Sequence, residues 1–180
     1  EQRFGRYADN FARARAWLLG EERVRSRLLR STLLSAVRAE LFNRLAARRV
    51  AEGSWDKPLP GERMMLDGRH SHFGVNIVDE TIVRRARRGL IHTSGPLPGR
   101  KGDDGPTGAV ADLEAAVLAP EAELVAALER HGLRAERRAL RAIPRYLRWR
   151  WHAPKVVELA FELPAGSYAT ALLREVVVAV

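Results

Sequence analysis

The side chains best able to do chemistry in this sequence fall in four short stretches. In HSHF, His70 and His72 stand two residues apart, so an extended strand puts both imidazoles on one face, with Asp67 near in the chain. Metal sites use such spacing, but a zinc-like ion needs three or four protein donors and no third ligand is evident. The pair reads as the solvated face of a hairpin, and no metal is expected. GPLPGRKGDDGPTG offers Arg100 and Lys101 in a glycine-rich run. A phosphate-cradling loop of the P-loop type needs Ser or Thr directly after its Lys. Here Gly102 follows Lys101, so the run reads as a surface loop. RRARR places Arg84, Arg85, Arg87 and Arg88 near a helix C-terminus, where they complement the helix dipole or meet phosphate. RYLRWRWH alternates, with Leu147, Trp149 and Trp151 on one face and Tyr146, Arg148, Arg150 and His152 on the other. The first set suits a core. The second is how a sheet can meet RNA, Arg pairing phosphates and Tyr stacking a base. Tyr146, Arg148 and Arg150 are therefore the candidate RNA contacts. No Ser/His/Asp triad and no pair of suitably spaced carboxylates stands out.

The elements that must position these groups can be read from periodicity and caps. Asp9 begins a short helix running to about Leu19, ended by Gly20. Ser31 is expected to cap a stronger helix, with Leu33, Leu34, Val37, Leu41, Phe42 and Leu45 on one stripe and Arg38, Arg44, Arg48 and Arg49 largely off it, closed by Gly53. GERMMLDGRHSHFGV reads as a hairpin about a type I′ turn at Asp67-Gly68. A short helix follows, Asp79 at its N-cap and Gly89 past its end, then a candidate strand at Leu90 to Thr93. Ser94 to Gly108 reads as one long loop. Two helical stretches come next, broken near Pro120 and ended by Gly132. RYLRWRW and KVVELAFELP alternate with period two, the latter putting Val157, Leu159, Phe161 and Leu163 on one face, so both read as strands. PAGS turns the chain into a last helix or mixed segment. The class is α+β, without internal repeats.

Composition narrows the function classes. The 180 residues are 46% hydrophobic, enough for a real core. There is no Cys, so disulfides and thiolate metal sites are excluded. No apolar run has the length of a membrane span, and cytosol is the expected location. The net charge is +9 and the pI about 11.0. Lys57, Lys101 and Lys155 are the only lysines, so arginine carries the positive charge. A GC-rich genome explains that choice but not the excess of 31 bases over 22 acids, which suits a polyanionic partner.

Four stretches together carry a resemblance: EQRFG at the start, RSTLLSAVRAELFN from Arg30, HTSGPLPG from His92 and FELPAGSYATALLRE from Phe161. In order and spacing they resemble the TruD family of tRNA pseudouridine synthases, and ERRALRAIPRYLRWRW is similar to that family's run before its last strands. The resemblance covers essentially the whole chain. It implies an enzyme that isomerises uridine 13 of tRNA to pseudouridine: the uracil is detached from the ribose, turned and rejoined through carbon. An Asp carboxylate does the covalent or acid-base work, and no metal or organic cofactor is used. The target base is held out of its stack.

The resemblance also implies which part of such an enzyme this is. QRFG is the tail of a longer family motif, NYFGxQRFG, and Glu1 stands at its variable position. The family's nucleophilic Asp lies earlier still, in a GxKDxxAxT-like segment, and no Asp here has that context. The chain is thus expected to be a C-terminal part without a catalytic residue. Residues 1–22 would be a strip of the catalytic domain (a mixed or antiparallel sheet with helices), 23–154 an inserted α/β domain, and 155–180 the closing strand and helix. Gln2, Arg3, Phe4 and Gly5 match the motif tail, and Gly166, Ser167, Tyr168 and Arg174 the closing segment; all are expected to line or support the site. Two other readings stay open at this point: a stand-alone, non-catalytic RNA-binding or tRNA-remodelling module, and a metal-dependent hydrolase using His70 and His72.

Overall fold

The computed structural model describes residues 9–100, 102, 105–164 and 166–176. By its internal contacts the chain divides into two units, one ending at Leu140 and the other starting at Arg141.

The first unit begins with α1 (Asn10–Leu18), which Asp9 precedes without lending its side chain as a cap. The long helix α2 (Arg27–Ala51) starts four residues before the expected cap Ser31, which lies inside it. Ser26 is the cap: its backbone is extended and its Oγ accepts from the Leu29 amide at 3.3 Å. Both serines precede apolar residues, and only the packing chose between them, because Val24 and Leu29 join the same core as α1. Leu33, Val37, Leu41, Leu45 and Phe42 are buried, as the stripe requires. The stripe runs on, four residues past Leu45, to Arg49, which is 1% exposed rather than on the polar face.

The sheet β1 (Glu62–Leu66), β2 (His72–Val75) and β3 (Ile91–His92) is antiparallel in the order β2-β1-β3. The Asp67-Gly68 hairpin is present, but its turn is not type I′. Gly68 has φ +67 while Asp67 is not left-handed, and Leu66 bonds Ser71 across a four-residue loop. Helix α3 (Glu80–Arg87) starts at Asp79, whose Oδ1 accepts from the Ile82 amide at 2.8 Å. It covers one face of the sheet, where Met64, Val75, Ala86 and Ile91 form a small core. Gly53, Gly89 and Gly132 close three helices as expected, each left-handed, with paired bonds back into the last turn.

Two strands were not legible in the sequence. The segment read as one loop from Ser94 contains β4 (Ser94–Leu97), paired antiparallel with β5 (Glu136–Ala139). Gly and Pro hide β4 from any propensity reading. Gly95 is there because a Cβ would approach Leu45 Cδ2 of α2 to 2.9 Å. Pro96 is tolerated because β4 has one sheet partner, so some of its amides need none. Between β4 and β5 run α4 (Gly108–Leu118), a 3-10 turn holding Pro120, and α5 (Ala122–Arg130), whose Leu124, Ala127 and Leu128 join the α1–α2 core.

The second unit is a hairpin and a helix. β6 (Arg145–Ala153) pairs antiparallel with β7 (Val156–Glu162), and α6 (Ala169–Val176) follows. The expected core face is not buried in this unit: Trp149 is 66% and Trp151 65% exposed, and Leu147 is exposed too. Alternation sorts residues between faces, but burial needs a second layer, and a two-stranded ribbon does not supply one. The expected boundary between 154 and 155 falls in the tight turn joining β6 to β7, while the change of compact unit comes at Arg141.

Candidate nucleic-acid interface

On β6 the cross-strand register fixes two faces. Trp149 stands opposite Leu159 and Trp151 opposite Val157; Arg148 stands opposite Ala160 and Arg150 opposite Glu158. The apolar and basic sets are thus separated as the alternation predicts. Tyr146 is different. Its backbone is left-handed (φ +52), and the register shifts between Arg145 and Arg148, so a bulge interrupts the alternation that grouped Tyr146 with the two arginines. Its ring is 70% exposed.

The arginines differ electrostatically. Arg150 Nη2 donates to Glu158 Oε2 at 3.0 Å, and His152 Nε2 lies 2.6 Å from the same oxygen. The His152 bond first, then that of Arg150, hold the Glu158 carboxyl below the usual carboxylate range. Part of the charge of Arg150 is therefore answered within the protein. Arg148 has no carboxylate partner among the described residues. A fork of five N–H donors without a local acceptor is free to pair with an external phosphate.

The closing segment is arranged by a turn. Gly166 is left-handed (φ +83), the Ser167 amide donates to the Pro164 carbonyl at 3.0 Å, and the Tyr168 carbonyl accepts from the Ala171 amide at 3.0 Å as α6 begins. Gly166, Ser167 and Tyr168 thus sit together at the start of α6, with Arg174 in its last turn. Gln2, Arg3, Phe4 and Gly5 lie outside the described residues.

His70 and His72 do not converge on a ligand site. His70 is exposed in the hairpin turn, His72 Nδ1 lies 3.1 Å from Arg63 Nη2, and Asp67 Oδ1 is bonded instead to His92 Nε2 at 2.9 Å. Among the described residues, no group of three or more His, Cys, Asp or Glu could hold an ion. The HTSGPLPG stretch proves to be a buried staple. His92, Thr93 and Ser94 are all buried; the Thr93 hydroxyl donates to the Trp55 carbonyl and that of Ser94 to the Arg63 carbonyl.

Two buried ion pairs escaped the sequence reading. Arg49 Nη2 meets Glu62 Oε2 at 3.0 Å, the pair 1% and 0% exposed, and the same guanidinium donates to the carbonyls of Ser54 and Lys57. It clamps the loop after α2 to β1. Burial pushes the Glu62 carboxyl above its usual range despite Arg49. Arg137 Nη2 meets Glu114 Oε1 at 2.5 Å and also donates to the Ser94 carbonyl, tying α4 to β4 and β5. The four-residue spacing of Leu33, Val37, Leu41, Leu45 and Arg49 is the signal that could have revealed the first pair.

By fold, then, this is an α+β chain of helices and small antiparallel sheets, with an exposed strand bearing arginine and tyrosine. Residues 20–176 match the family described as tRNA pseudouridine synthase D (TruD), and the chain belongs to that family. It is 45% identical over 177 residues to the tRNA pseudouridine synthase D of Nitrosococcus oceani, covering 98% of this chain and 49% of that protein. It is also 45% identical to that of Xanthomonas axonopodis pv. citri, covering 97% of this chain and 51% of the relative. The chain spans about half the length of the curated relatives it matches. A crystal structure from Methanosarcina mazei assigned as TruD shares the fold, with a TM-score of 0.64 at 20% identity over 87% of this chain and 40% of that one. No helix among the described residues is long and apolar enough to cross a membrane.

Proposed function

We propose that this chain is the C-terminal part of a cytoplasmic tRNA pseudouridine synthase that isomerises uridine 13 of tRNA, and that alone it binds tRNA without catalysing. The match to the TruD family over residues 20–176 carries the reading. The relatives' names supply the substrate class, and the half-length coverage supports a missing catalytic segment. In this reading 1–22 and 155–180 belong to the catalytic domain and 23–154 to an insertion. Gln2, Arg3, Phe4, Gly5, Gly166, Ser167, Tyr168 and Arg174 line or support the site. The nucleophilic Asp comes from sequence before Glu1, and the reaction uses neither metal nor cofactor.

Two of the Asp residues already have structural partners. Asp79 is occupied as a helix cap and Asp67 by His92. Neither stands free to attack a ribose or a base. The test is an assay of pseudouridine formation on a tRNA transcript by the purified chain. No product is expected, and turnover free of host enzyme overturns the division of labour. Adding the N-terminal half of a relative as a separate polypeptide is expected to restore activity.

A further inference from the structure

Helix α3 carries more positive charge than its own stability asks for. Arg84, Arg85, Arg87 and Arg88 crowd its C-terminal end, while Asp79 and Glu80 stand at the other. Arg85 turns inward, its guanidinium 5.4 Å from the centre of the Phe73 ring, and Ala86 is buried beside it. That anchoring leaves Arg84, Arg87 and Arg88 exposed. Arg87 and Arg88 follow Arg84 by three and four residues, so both are its neighbours on the helix surface, and like charges at those spacings repel. The helix dipole rewards a cation in the last turn, but it does not require three side by side.

The nearby acids, Glu80 four residues before Arg84 included, make no ion pair with these three arginines among the described residues. Asp79 caps α3 and Asp67 holds His92. Among the described residues none of the three arginines has a carboxylate partner. Elsewhere in the same unit such partners are supplied: Arg13 has Glu22, Arg15 and Arg44 share Glu121, and Arg137 has Glu114. The hairpin tip adds a fourth cation. The Asp67 amide donates to the Leu90 carbonyl at 3.1 Å, which ties the β1–β2 turn to the residues just after α3, and the exposed Arg69 lies in that turn.

We propose that Arg84, Arg87 and Arg88 of α3, with Arg69 of the hairpin tip, form a face that binds the phosphate backbone of RNA. The proposal rests on the tRNA reading above. Guanidinium forks take phosphate oxygens in pairs, and a polyanion turns the mutual repulsion of the three helix arginines into attraction. Contacts of this kind position the RNA and do not read its bases.

The test uses the 180-residue chain and a tRNA transcript in a salt titration. One variant carries Arg84→Gln, Arg87→Gln and Arg88→Gln; a charge-matched control carries Arg23→Gln, Arg25→Gln and Arg27→Gln, and circular dichroism checks that both fold. Each lost phosphate contact should lower the log-log salt slope by about 0.7–0.9, so the α3 variant should lose about 2–3 in slope. The control should change less. An equal loss in both overturns the face, since the effect is then of net charge alone. A parent that binds tRNA while the α3 variant matches it also overturns the face but leaves the tRNA reading standing. A parent that does not bind tRNA overturns both. Binding to phosphatidylserine vesicles that the α3 variant abolishes, with tRNA affinity unchanged, assigns the face to a membrane surface and overturns the proposal.

Discussion

Glu158 makes two arginines that look equivalent in the sequence unequal in the structure. It takes a hydrogen bond from Arg150 and another from His152, and Arg148 is left with no such partner among the described residues. Arg148→Gln should therefore weaken tRNA binding more than Arg150→Gln, measured by filter binding at one salt concentration. The same contacts hold the Glu158 carboxyl down, so its contribution to stability is present above the ordinary carboxylate pKa and is lost as pH falls through the lowered value. His152→Ala should raise that titration back toward the ordinary range, as followed by NMR of the carboxyl carbon. Glu62 has the opposite sign. Its folded value is raised, so its contribution is full below the ordinary carboxylate pKa and is lost as pH rises through the folded one. The stability of the parent relative to Glu62→Gln should accordingly fall as pH rises through that window. Glu62→Ala leaves Arg49 buried without its counter-charge and should cost about 3–5 kcal/mol in urea unfolding.

Among the elements, α2 and the β6–β7 hairpin show how differently one kind of pattern can turn out. The α2 stripe meets α1 and α5 and is buried; the Trp stripe of β6 meets nothing that buries it within its own unit. In thermal melts of the chain, Leu41→Ala should cost about 2–5 kcal/mol, because it empties a fully buried position. Trp149→Ala and Trp151→Ala should each cost much less, because most of each ring is already in solvent. An equally large loss in the Trp variants would show the ribbon covered in solution. Tyr146 sits where a side chain strains the backbone, so Tyr146→Gly should leave the hairpin at least as stable, while Tyr146→Val should destabilise it by about 1–2 kcal/mol.

For the whole molecule the dominant quantity is charge. A chain at +9 that neutralises phosphates releases their counterions, so tRNA affinity should fall steeply between low and moderate salt. A flat dependence would separate the charge from any role in RNA binding.

Charge, class, most helix ends and the two-faced pattern of β6 were legible in the residues themselves, because caps, left-handed glycines and side-chain period act over a few positions. Asp79, Gly53, Gly89 and Gly132 do locally what their chemistry dictates. The family resemblance was legible as well, in short stretches set in a fixed order. Contacts between distant segments were not. Tertiary packing chose Ser26 over Ser31, placed a strand across Gly95 and Pro96 by fitting it against Leu45, and buried Arg49 by bringing Glu62 to it. It also made HTSGPLPG a staple and divided the arginines into those answered by an acid and those left facing solvent. Each of these outcomes depends on which groups meet across the fold, and pair energies of that kind are set by distance and burial rather than by position along the chain.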